Sequence, residues 1–84
     1  MLTFSKVTNR YYDPGECCYI GNPQQFIKYL INDAILYDII PDVDKDGRDC
    51  ALYVFNRFET KRLFDLWCKR ELKSPPREVK PNEA

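Results

Sequence analysis

The chain has no histidine, only two serines (Ser5 and Ser74) and three scattered glycines in 84 residues. Each scarcity closes off a chemistry. Without histidine, no side chain has an ordinary pKa that makes it a base at neutral pH. Neither serine sits in a nucleophile motif, and Gly15, Gly21 and Gly47 cannot build a glycine-rich phosphate loop. No uncharged run approaches the roughly 18 residues of a membrane helix. Met1 to Val7 is followed by Thr8, Asn9 and Arg10 rather than by a signal-peptide core. The expectation is a cytoplasmic, non-enzymatic protein that needs no cofactor and meets no membrane.

Excess charge of one sign is lacking too: thirteen Lys and Arg balance thirteen Asp and Glu, so no overall field draws in nucleic acid. The balance is uneven along the chain, with net −3 over residues 1–56 and +3 over 57–84. Cysteine, by contrast, is plentiful: Cys17, Cys18, Cys50 and Cys68. Without an export signal, free thiols are expected rather than disulfides. Zinc is disfavoured by the lack of a C-x-x-C pair, and adjacent Cys17 and Cys18 point to opposite faces of an extended strand. A thiol near a helix start can be nucleophilic, but no base accompanies either residue, so buried, inert cysteines are expected.

Met1 to Val7 alternates loosely and reads as an edge strand; Asp13-Pro14-Gly15 turns the chain into a second strand, "ECCYI", which suggests a hairpin within the first twenty residues. In "GNPQQFIKYLIND", Asn22 is an N-cap and Pro23 stands at the first helical position. Phe26, Ile27, Leu30 and Ile31 follow at core spacing, and Asn32 and Asp33 close the helix. "AILYDII" and "CALYVF" flank an aspartate-rich turn and predict an antiparallel hairpin. Asn56 then caps a helix with Glu59 at its third position and Leu63, Phe64, Trp67 and Cys68 as its apolar stripe, running to about Leu72. The proline-rich, charged 73–84 reads as a disordered tail behind a single domain over 1–72. The order β(β)αββα predicts an α+β fold: a two-layer sandwich with a three- to four-stranded mixed sheet and both helices on one face.

Three constellations could carry function. In "PDVDKDGRD", Asp42, Asp44 and Asp46 with Gly47 match the start of an EF-hand calcium loop, but its eighth position is Asp49, its twelfth is Tyr53, and its flanks read as strands. Asp46-Gly47 is also a strong hairpin signal, and a solvated turn is the preferred reading, with calcium binding as the third-ranked function. Arg57, Lys61, Arg62, Lys69 and Arg70 on the last helix could neutralise phosphates, which makes a nucleic-acid-binding regulator the runner-up; Glu59, Asp65 and Glu71 interrupt the stripe. Finally, alternation sets Tyr53 and Phe55 opposite Leu52 and Val54, and both faces are apolar. If the helices cover the Leu52 face, then Tyr53 and Phe55, with Tyr37, form a protein-binding surface; if they cover the other, that expectation inverts.

From Tyr19 to Leu72 the runs "YIGNPQQFIKYLIN", "DIIPDVDKDG" and "ALYVFNRFETKRLFDLW" resemble a family of small uncharacterised bacterial, phage and mobile-element α+β domains. The resemblance implies a fold and a viral or mobile-element origin, and carries no catalytic residue to transfer. Together with the missing catalytic groups, it makes the leading expectation a protein-binding inhibitor or regulator, whose partner is a host protein or a second copy of this chain.

Overall fold

Asn22 starts the helix that the sequence marks most plainly: its Oδ1 accepts from the backbone N–H of Gln24 (2.9 Å) and Gln25 (3.3 Å), ahead of Pro23 at the first position. In the computed structural model, which describes residues 1–73, the elements run β1 (Thr3–Ser5), β2 (Arg10–Tyr12), β3 (Cys17–Ile20), α1 (Pro23–Ile31), β4 (Leu36–Val43), β5 (Asp49–Asn56) and α2 (Lys61–Cys68). The protein is α+β, with two helices and two antiparallel sheets among the described residues. The expected tail lies, beyond Lys73, outside those residues.

The larger sheet has the order β3-β5-β4. A mixed sheet was expected, and β3 and β4 do run in the same direction, but β5 stands between them and every pairing is antiparallel. The turn between β4 and β5 is closed from within. Asp44 accepts on Oδ1 from the N–H of Asp46 (2.8 Å) and Arg48 (2.9 Å), while Gly47 takes the left-handed φ of 77° that the turn requires. Residues 41–50 are exposed throughout, so this hairpin projects as an arm.

Both helices end alike. At α1, Ala34 N–H bonds to Tyr29 O and Asp33 N–H to Leu30 O; at α2, Glu71 N–H bonds to Leu66 O and Arg70 N–H to Trp67 O. These are Schellman closures in which Asp33 (φ 68°) and Arg70 (φ 58°) occupy the left-handed position usually given to glycine. The second closure turns Leu72 back into the core.

That core lies between the helices and one sheet face: Ile20, Tyr29, Phe55, Leu63 and Leu72 are buried, with Phe26, Leu36, Tyr53, Leu66 and Trp67 packed around them. Two expectations are corrected here. The helices cover the Tyr53–Phe55 face, so Phe55 is a core residue with no exposed surface and Tyr53 is half-buried, its ring stacked on Phe26 at 3.7 Å between centroids. Within α1 the most buried side chain is Tyr29, at 1% exposure, while Ile27, Leu30 and Ile31 face outward. Five apolar side chains in nine positions exceed one helical stripe, and the large Tyr29 ring, edge-on to Phe55 at 5.3 Å, takes the central place.

The opposite face is covered by β1 and β2, which adds a layer to the expected sandwich. Met1–Val7 was expected to pair with "ECCYI"; it pairs instead with Arg10–Tyr12, through a turn in which Asn9 (φ 58°) bonds its N–H to Ser5 O. Asp13-Pro14-Gly15 opens a short 3-10 turn into β3. Tyr12, Cys17 and Val54 are buried beneath the hairpin, with Tyr37 and Ile40 alongside.

Candidate protein-binding groove

The turn between β5 and α2 sets up the open side of the molecule. Asn56 Oδ1 accepts from the N–H of Phe58 (2.9 Å) and Glu59 (3.1 Å), as its capping role requires, but regular helix begins only at Lys61. Glu59 does not reach back to complete a capping box; its carboxylate accepts from the Tyr37 hydroxyl (3.0 Å to each oxygen). The turn is thereby tied to β4, and Phe58 is left pointing outward.

A groove of about 580 Å³ runs between β3 on one side and this turn with the start of α2 on the other. Cys18 and Ile20 of β3 and Tyr29 of α1 lie along it, and Phe58 and Phe64 stand at its lips with 65% and 50% of their surfaces exposed. Arg57 and Lys61 also line it, with no carboxylate among the lining residues. The Arg57 guanidinium lies 5.0 Å from the Phe58 ring centroid, and Lys61 makes an exposed i,i+4 pair with Asp65 at 3.0 Å, which holds it only loosely.

The polar atoms in the groove are engaged with one another. Thr60 Oγ1 donates to Asn56 O at 2.8 Å, so in its 3.7 Å contact with Cys18 the thiol is the donor. Gln25 Nε2 donates to the Tyr29 hydroxyl at 3.1 Å; burial pushes that phenol up from its ordinary pKa, against the pull of the Gln25 bond. The one hydrogen-bond partner of the Cys18 thiol among the described side chains is Thr60.

A second cluster gathers two hydroxyls around a buried carboxylate. Asp38 accepts from Ser5 Oγ (2.7 Å), the Tyr12 hydroxyl (2.7 Å) and Ile39 N–H (2.8 Å). Ser5 Oγ in turn accepts from Val7 and Thr8 N–H (3.2 and 3.1 Å). Ser5 is wholly buried and Asp38 is 8% exposed, leaving no face for a substrate. Burial would raise the Asp38 pKa, but the bonds from Ser5, Tyr12 and Ile39 outweigh it and hold the carboxyl below its ordinary value. The same burial, with the bond to Asp38, drives the Tyr12 phenol far above its own. The cluster is a latch that fastens the β1–β2 hairpin to β4.

Of the other residues singled out in the sequence, Tyr37 lies on the hairpin side, edge-on to Tyr12 at 6.5 Å, at the β-bulge between Leu36 and Asp38. The structure does not gather the basic residues. Arg57 and Lys61 share the groove, Arg62 borders a hollow with Asp33 and Glu59, Arg70 lies by Lys28 and Trp67, and Lys69 caps the end of α2. Asp42 and Asp46 sit on the exposed arm while Asp44 is spent on its turn, and no group of three or more metal-ligating side chains occurs among the described residues. All four cysteines are free thiols. No helix among the described residues is long and apolar enough to cross a membrane.

Sequence reasoning missed the groove because three separate segments build it. The available signal was the pair of asparagine caps, Asn22 and Asn56, which begin helical turns flanking the same strand. No protein-family model matches this chain, and neither a curated protein nor a solved structure does.

Proposed function

We propose that this chain is a non-catalytic protein-binding module whose contact surface is the groove beside β3, not the sheet face of Tyr53 and Phe55. The observation that carries this reading is the pair of exposed aromatics, Phe58 and Phe64, beside an apolar cleft. Aromatic side chains and arginine are the residues enriched in interface cores and hot spots, and a small domain gains no stability by holding two such rings in water. Such a module acts by occupying a surface of another protein, as an inhibitor or regulator borne by a phage or mobile element would.

A photo-reactive phenylalanine analogue at position 64, introduced in the producing cell, tests the reading. It should yield a discrete adduct with one protein, while the same group in place of Asp46, on the exposed arm, yields none. Equal labelling from both positions, or none from position 64, would sink the proposal.

A further inference from the structure

β3 is an edge strand. Arg57 N–H donates to Glu16 O at 3.0 Å, which fixes the phase of the β3–β5 ladder. In the register Cys18↔Phe55 and Ile20↔Tyr53, Cys18 and Ile20 exchange bonds with β5. Tyr19, opposite Val54, therefore turns its N–H and C=O to the open side, where β3 pairs with no other strand among the described residues. The side chains of Cys18 and Ile20 point to the helix face and form the groove wall. An exposed backbone edge and an apolar groove thus lie side by side along the same residues.

From this juxtaposition we infer that the groove takes an extended segment of a partner protein, which adds to the sheet as a strand beside β3 and sets every second side chain, apolar ones and an acidic one, into the groove, the carboxylate against Arg57 and Lys61. Strand addition gives affinity through main-chain bonds and specificity through every second side chain. The choice of occupant follows from charge: two cations and no carboxylate line the cleft. A second copy paired edge to edge would bring Cys17–Ile20, which carries no carboxylate, so the lining selects an acidic segment of a different protein.

The inference rests on the protein-binding reading above and deepens it. Its test uses the full chain, isotopically labelled, titrated with capped peptides in which valine, valine and glutamate take successive every-second positions with threonine between them, and followed by amide NMR shifts. Saturable shifts at Tyr19, Gly21, Arg57 and Phe64 are expected. Replacing glutamate by lysine, or methylating the alternate peptide amides that face β3, should each weaken binding by about tenfold or more. Tyr19→Pro removes the open-edge N–H without touching a bond to β5 and should do the same; the methylated peptide makes the same test on unaltered protein. Equal affinity for the lysine peptide, indifference to methylation, or shifts confined elsewhere would overturn the inference. So would self-association through β3 in sedimentation. A cross-link at position 64 without peptide binding would remove strand addition and leave the protein-binding reading standing, whereas loss of both would remove both.

Discussion

On one face of the three-stranded sheet, Ile20 and Phe55 are buried by two helices; on the other, Cys17 and Val54 lie under a hairpin whose strands are three residues each. The first closure is made of aromatic and aliphatic contact and is nondirectional, so it tolerates small shifts of the helices. The second is too small to hold by apolar area, since a two-stranded hairpin is at best marginally stable by itself. It is held by the saturated network of Ser5, Tyr12 and Asp38. A buried carboxylate with all its bonds made specifies one docking geometry, at the cost of depending on each partner and on pH.

The comparison breaks most sharply at neighbouring positions of β5. Phe55→Ala removes the ring at the centre of the helix face and should cost about 4 kcal/mol, enough to abolish the cooperative melt of so small a domain, whereas Val54→Ala should cost about 2 kcal/mol and leave a measurable transition. Equal effects in urea melts would mean that the two faces carry equal weight.

Next in size is the latch. Asp38→Asn gives one of the two hydroxyls an amide donor to face and should cost about 2 kcal/mol, with hydrogen exchange accelerated in β1 and β2 but not in α1. Combined with Tyr12→Phe, the loss should fall short of the sum of the single losses by about 1 kcal/mol, because both act on one bond. Strict additivity would refute the coupling.

Smaller still, and reversible, is the response to acid. The folded pKa of Asp38 is depressed below 3.8, so its contribution is complete above that value and is lost as pH falls through the lower folded value. Tyr12 has the opposite sign: its raised pKa means that its contribution is complete below 10.0 and erodes only in stronger alkali. Acidification should therefore loosen the hairpin while the helix face persists. Amide exchange at Tyr11 and Tyr12, compared with Tyr29, reads this directly, and simultaneous loss of protection at all three would show that the faces are not independent.

Local signals in the sequence survived where one residue decides the local structure. Asn22 and Pro23 start α1 at the predicted place, and the Asp46-Gly47 turn joins β4 to β5. What the sequence could not supply was a choice between equals. Leu52 with Val54 and Tyr53 with Phe55 are both apolar pairs, so alternation defines two faces without ranking them. Only the assembled sheet shows which one receives the helices. The N-terminal hairpin was misplaced because Asp13-Pro14-Gly15 is the stronger turn signal, whereas the turn used depends on Asn9 accepting a left-handed backbone. Asp38 is the one charged residue of "ILYDII", but its two hydroxyl partners lie 33 and 26 residues away.

The strand order β3-β5-β4 also bears on time. Val43 pairs with Asp49 across the short arm, so the β4–β5 hairpin can close within microseconds, while Cys17 must find Asn56 from the far side of α1 and β4. The strand that forms the groove wall therefore closes the longest loop of the sheet, and it is this strand that covers the edge of β5 otherwise left bare.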